Sequence, residues 1–222
     1  TMQYLSLALY AEGPTDYRFL SPLLQRLCED ICLRDALDLV EVSEVLALDD
    51  SDETRKESRG HRILDAARRA RGAWRILFVH ADGESKPDRN RQCNVTPALD
   101  LLRTHMSGDG VGVGVVPVHE IESWILADGD ALREVFSTSL SDRKLGVPAP
   151  ASVEGEPDPK RVLEHCYDQA RPGARNRRQT EVQYFQELGE CVSLDALRRL
   201  KSFQLLEAEL RQALRELKII RV

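Results

Sequence analysis

The stretch QYLSLALYAEGPTD, residues 3–16, decides the fold. Its first nine residues are mostly apolar and predict a buried β-strand. Pro14 then stands where the first turn of a helix begins, and Asp16 places an acid near the positive end of that helix. Apolar residues at three- and four-residue steps from Phe19 to Ile31 continue the helical pattern. The stretch therefore predicts the first β–α unit of an α/β protein.

Three further apolar runs predict strands, and helical patterns separate them. The runs cover Leu39–Leu48, Arg75–Ala81 and Val111–Val118. Alternation of strands with helices is typical of a parallel sheet with helices on its faces. The first two thirds of the chain therefore predict a Rossmann-like α/β fold, with a mostly parallel four-stranded sheet flanked by helices.

The last third of the chain has a different character. Residues 137–159 are rich in Ser, Pro and Gly, and Leu194–Leu217 carries leucines at helical spacing. We therefore divide the chain into a core, residues 1–130, and a loop-rich and helical extension, residues 131–222, packed on that core. The leucine stripe serves either the packing of the extension, a homodimer or the binding of a partner protein.

Composition argues against some classes of protein and indicates the cellular compartment. The net charge is −6 over 222 residues, which argues against a surface coated with nucleic-acid-binding side chains. No apolar run reaches the roughly 18–20 residues that a membrane span needs, so no membrane contact is expected. The five cysteines show no paired C-x-x-C spacing, which favours structural thiols and a reducing, cytoplasmic location.

Acidic residues follow three of the four predicted strands. The first strand ends in Glu12, the third in Asp82 and Glu84, and the fourth leads into Glu120 and Glu122. Functional groups in an open parallel sheet collect just beyond the carboxyl ends of the strands. Each acid alone is as readily explained by a turn or a helix start. Their shared placement instead predicts one acidic site at this edge.

Carboxylates crowded in this way repel one another unless a cation neutralises them. Mg²⁺ prefers oxygen ligands and keeps waters for the phosphates of a substrate. Glu12 and Asp16 are placed to share one ion, and Asp82 and Glu84 to share the same ion or a second one. Two ions roughly 4 Å apart would bind both the attacking and the leaving oxygen of a phosphodiester.

Three motifs in order resemble the Toprim (topoisomerase–primase) superfamily over about residues 3–128. They are EGPTD at residues 12–16, HADGE at residues 80–84 and EIESWILAD at residues 120–128. The resemblance is closest to the OLD-nuclease and RloB-like branch, and it implies a Toprim-like Rossmannoid fold in which residues 1–130 are the catalytic core. It implies Mg²⁺ or Mn²⁺ as cofactor, catalytic roles for Glu12 and Asp82, and Lys160 as the catalytic lysine. The implied metal ligands are Glu12, Asp16, Asp82, Glu84 and Glu122.

The resemblance implies a metal-dependent nuclease that cleaves DNA or RNA, with a partner ATPase in bacterial anti-phage defence. The alternative is a non-catalytic Toprim-like module that binds such an ATPase and signals its state. A run of arginines free of acids is a candidate nucleic-acid contact, although a solvated loop explains it equally well. Its members are Arg171, Arg175, Arg177 and Arg178.

Overall fold

A four-stranded parallel sheet forms the centre of the protein. The computed structural model describes residues 2–173 and 177–221, and for residues 177–182 it describes the backbone alone. The strands are β1 (Met2–Tyr10), β2 (Leu39–Ala47), β3 (Ile76–His80) and β4 (Val111–Val115), in the spatial order β2-β1-β3-β4. All three neighbouring pairs run parallel. The predicted α/β class is thus confirmed, with a fully parallel sheet.

Helices cover both faces of the sheet. Within the described residues they are α1 (Pro14–Asp35), α2 (Arg59–Arg69), α3 (Pro87–Asn94), α4 (Thr96–His105), α5 (Glu122–Ile125), α6 (Gly129–Val135), α7 (Asp142–Leu145), α8 (Pro159–Ala170), α9 (Arg177–Cys191), α10 (Leu194–Leu197) and α11 (Lys201–Glu216). Helices α1 and α11 pack on one face and α4 on the other, where α2 packs against α4. None of the helices described here is long and apolar enough to cross a membrane.

The alternation of side chains along β3 assigns its residues to two hydrophobic clusters. Ile76 and Phe78 belong to the cluster beneath α1, while Leu77 and Val79 belong to the cluster beneath α2 and α4. A strand buried on both faces needs apolar residues at every position, which explains its continuous run. His80 follows the phase of Ile76 and Phe78, so its ring lies on the α1 side.

The predicted helix over Leu194–Leu217 is wrong as a single element, because the chain breaks it into α10 and α11. Leu200 has extended backbone between them. The Glu154 carboxylate accepts hydrogen bonds from the backbone N–H groups of Lys201 and Ser202, at 3.0 and 2.9 Å. A distant acid therefore satisfies the first free N–H groups of α11, which favours a new helix start there.

The leucine stripe of α11 packs inside the protein. Leu206, Leu210 and Leu214 are buried in the cluster that also contains β1 and α1. Trp124 adds a link from α5, with its ring edge-on to Phe203 at 5.2 Å between centroids. The extension and the core thus share one hydrophobic cluster. The boundary at residue 130 stays a prediction.

Candidate metal centre

The strand order creates a crevice at the carboxyl ends of β1 and β3. The chain passes from β1 to β2 on one side and then crosses to β3 on the other side of β1. Helices that leave in opposite directions open a gap at such a switch point, and ligands of open α/β sheets bind there. Glu12 follows β1 and Asp82 follows β3, so the crevice lies between two of the predicted site residues.

Three side chains meet at the base of this crevice. His80 Nδ1 lies 3.8 Å from Asp16 Oδ2, and His80 Nε2 lies 3.5 Å from Asp82 Oδ1. Ligand atoms of the three residues all lie within 4.8 Å of one another. Asp16 is held in place from the first turn of α1, because the Gly13 backbone N–H donates to its Oδ2 at 2.7 Å. The predicted pair Asp16 and Asp82 is therefore brought together around a histidine.

Three of the polar atoms at the centre have no hydrogen-bond partner. Both ring nitrogens of His80 and Oδ1 of Asp82 are buried without one. His80 is fully buried, and this burial, with a smaller contribution from Arg59, lowers its pKa to about 3. The ring therefore stays neutral at physiological pH and keeps a lone pair for a ligand. Unpartnered buried polar groups cost free energy, and a bound group that paired with them would remove that cost.

The carboxyl groups near the histidine have pKa values above their usual range. Burial is the main cause, and it raises the pKa of Asp16 to about 6 and that of Asp82 to about 7. Glu122 is nearly fully buried, and burial followed by repulsion from Glu120 raises its pKa to about 8. Glu120 also raises the pKa values of Asp16 and Asp82. A nearby cation would stabilise the ionised form of each group.

Backbone hydrogen bonds to the segment that follows β4 hold the turn at residues 82–84, Asp-Gly-Glu. Gly83 N–H donates to Pro117 O at 3.1 Å, and Glu84 exchanges two backbone hydrogen bonds of 3.0 Å with His119. A Cβ atom at Gly83 would lie 2.2 Å from Pro117 O, so only glycine fits between the two acids. Glu84 has a φ of 48°, a conformation that a non-glycine residue seldom adopts. Its side chain is exposed, and its charge contributes to the raised pKa of Asp82.

Glu12 is engaged by an arginine that sequence reasoning did not select. Arg59 Nη1 lies 3.3 Å from Glu12 Oε1, while Arg59 Nε donates to Asn94 O at 3.1 Å. Its Nη2 donates to the backbone oxygen of His80. Arg59 begins α2, nearly fifty residues after Glu12, so no local pattern in the sequence joins them.

The remaining predicted residues lie at different places. Lys160 is exposed in the first turn of α8, close enough to Glu122 to lower the pKa of that carboxyl group. Arg171 ends α8, and its Nε donates to Phe136 O at 2.9 Å, away from the crevice. Three members of the predicted nucleic-acid contact lie outside the residues whose side chains are described, namely Arg175, Arg177 and Arg178.

The acidic edge extends to β2, which sequence reasoning did not include. Asp49 and Asp50 come two and three residues after Ala47, the last residue of β2, so acids follow all four strands within a few residues. Asp50 accepts hydrogen bonds from Tyr10 and, at 2.6 Å, from Arg62. Asp50 is thus part of a mixed-charge network beside the centre rather than of the cluster around His80.

The sequence pattern of one protein family matches residues 11–211, which include the whole centre. The chain belongs to the DUF4276 family. This family is described as a domain of unknown function. No curated protein and no solved structure matches the chain significantly. What a DUF4276 chain can do chemically must therefore be inferred from its own side chains, which offer two carboxylates and a neutral imidazole at one point.

Proposed function

We propose that this DUF4276 protein is a metal-dependent nuclease that hydrolyses phosphodiester bonds in DNA or RNA. The observation that carries the proposal is the unpartnered His80 ring between Asp16 and Asp82 at the switch point of the sheet. A divalent cation would bind one ring nitrogen of His80 together with an oxygen of each aspartate, while the other ring nitrogen carries the proton. The Toprim-like motifs at residues 12–16 and 80–84 supply all three residues, which supports a Toprim type of reaction.

The donor set fits Mg²⁺ or Mn²⁺ as the cofactor. Asp16, Asp82 and His80 would hold the ion, with Glu12 and Glu122 at the edge of the same site. Imidazole suits transition metals better than Mg²⁺, so the histidine favours Mn²⁺ of the two. When bound, the ion supplies positive charge that polarises a phosphoryl oxygen and promotes ionisation of water near neutral pH.

The protein's own groups supply proton transfer and charge. In the metal-free protein burial raises the pKa of Asp82 to about 7 and that of Glu122 to about 8, and a bound ion would favour the ionised form of both. Glu122, which is not one of the three residues that would hold the ion, would then be a carboxylate able to accept a proton from water. Lys160 carries a positive charge close to Glu122, where it would stabilise negative charge that develops on a phosphate. An ATPase partner and a role in anti-phage defence complete the proposal, on the strength of the resemblance.

The test compares Asp82→Asn with Asp100→Asn, which removes an exposed carboxylate on α4. We expect Mg²⁺ or Mn²⁺ to support cleavage of DNA or RNA and Ca²⁺ to fail, because Ca²⁺ binds at longer and looser geometry. Asp82→Asn should lose at least about 100-fold in rate. Saturating Mn²⁺, at about 100 times its Kd, should stabilise the wild type by about 2.7 kcal/mol. Asp100→Asn should match the wild type in both measurements.

Two results would contradict the proposal. One is an equal rise in Tm with Mn²⁺ in wild type and Asp82→Asn, because the ion would then bind elsewhere. The other is an absence of metal-dependent cleavage in the complex with the ATPase while Glu12→Gln still supports the biological response. That second result would favour the non-catalytic module.

A further inference from the structure

A cleft of about 720 Å³ opens beside the metal centre, on the β2 side of Glu12. Its walls come from the ends of β1 and β2, the first turns of α1 and the start of α2. This volume lies within the range of about 300–1,000 Å³ that ligand sites occupy. Glu12 lines the cleft, and its charge also raises the pKa values of Asp16 and Asp82, so the cleft lies next to the centre.

The charges of the cleft differ from those of the centre. Arg18, Arg59 and Arg62 line the cleft, opposite Glu12 and the two aspartates that follow β2. The centre itself contains carboxylates and a neutral histidine, so an unaccompanied phosphate would be repelled there. An anionic substrate that reaches the centre would meet Arg59, which lines the cleft and whose charge already acts on His80.

Four contacts position the guanidinium group of Arg59. Its guanidinium carbon lies 5.3 Å from the centroid of the Tyr10 ring, and Asn94 and His80 accept hydrogen bonds through their backbone oxygens. Its fourth contact is Glu12. A guanidinium carries five N–H donors, and three contacts with oxygen leave donors for a further acceptor. Arg59 is thus fixed at the boundary between the cleft and the centre.

Glu12 connects the two sites through its carboxylate. Its side chain is 39% exposed, so it can turn towards the centre, where it already contributes to the raised pKa values of Asp16 and Asp82. If Glu12 takes part in cation binding, Arg59 loses its carboxylate partner. A guanidinium with two parallel donors is the side chain best matched to a phosphate.

We propose that the cleft binds the nucleic-acid strand next to the scissile phosphate, with Arg59 and Arg18 contacting the flanking phosphate. The inference rests on the proposed nuclease function. It adds the path of the bound strand, which would run from the metal centre into the cleft. Arg62 is held by Asp50 at 2.6 Å and supports the wall rather than the phosphate.

The experiment measures binding of a fluorescein-labelled oligothymidylate by anisotropy, with Ca²⁺ to hold substrate without cleavage. Arg59→Gln and Arg18→Gln are compared with Arg68→Gln, which removes an exposed charge from the same helix as Arg59. We expect each cleft variant to bind about tenfold more weakly, as for the loss of a charge-assisted hydrogen bond. The slope of log K against log salt should become shallower by about 0.7, since one phosphate contact is lost. Arg68→Gln should keep the wild-type affinity and slope.

The outcomes separate this inference from the proposed function. Wild-type affinity and slope in both cleft variants, with cleavage still dependent on Asp82, would overturn the cleft proposal alone. Loss of binding in the cleft variants, with no metal-dependent cleavage even in the complex with the ATPase, would support a strand-binding cleft and contradict the nuclease. Thymidine monophosphate that binds as tightly as the oligonucleotide would also overturn it, because the ligand would then be a free nucleotide. Arg18→Gln keeps the test valid if Arg59→Gln lowers the Tm.

Discussion

Replacing Glu122 by glutamine should change how the stability of the metal-free protein depends on pH. The Glu122 side chain lies within α5 and is 6% exposed, and its pKa rises from 4.5 to about 8, chiefly through burial. The folded state therefore binds this proton more tightly than the unfolded chain does. Its contribution to stability is complete below pH 4.5 and is lost as the pH rises through about 8. The interval between the two pKa values corresponds to a loss of at most about 5 kcal/mol.

Urea denaturation in the presence of a chelator, at about pH 5 and about pH 9, measures this effect. Glutamine has the size of a protonated glutamate and never ionises, so Glu122→Gln should become more stable than the wild type at the higher pH by several kcal/mol. At the lower pH the two should agree within about 1 kcal/mol. Glu134→Gln, at an exposed position on α6, should follow the wild type at both. The same difference between wild type and Glu122→Gln at the two pH values would refute this account of the buried carboxyl group.

Two further substitutions test the geometry of the centre. Gly83→Ala should lower the free energy of unfolding by about 2–3 kcal/mol and weaken Mn²⁺ binding, because the added Cβ would meet Pro117 O. Chemical denaturation should show no comparable loss for Gly108→Ala, because Gly108 has open space around it. Lys160→Met should lower the rate of cleavage about tenfold or more, because Lys160 lies near Glu122 and its charge would act on the phosphate. Its Mn²⁺ affinity, measured by titration, should stay within about threefold of the wild-type affinity.

The fold was largely predictable because its determinants are local. Residues 3–16 combine a buried strand, a helix-starting proline and a first-turn acid, and the structure places β1 and α1 there. The strand-end acids were predictable for the same reason, since parallel strands bring their carboxyl ends to one edge. The adjacency of β1 to β3 then carried Asp16 and Asp82 to the same crevice.

The rest depends on contacts between distant residues. Arg59 reaches Glu12 only because α2 returns over the edge of the sheet, and nothing in its neighbourhood marks it. His80 is recognisable in the sequence as the end of a buried strand, but its lack of partners is visible only in three dimensions. The break between α10 and α11 depends likewise on Glu154, from a turn more than forty residues earlier.

The place of Glu12 explains why one edge of the sheet holds two sites of different charge. Strand β1 is central, with β3 on one side and β2 on the other. Glu12, which follows β1, therefore lies between the crevice on the β3 side and the cleft on the β2 side. On the β3 side Glu12 adds negative charge to Asp16 and Asp82, and on the β2 side it pairs with Arg59. A cation bound at the proposed centre would therefore weaken the ion pair between Glu12 and Arg59 on the other side. Metal binding and strand binding should for this reason be coupled, and each should strengthen the other by the same factor.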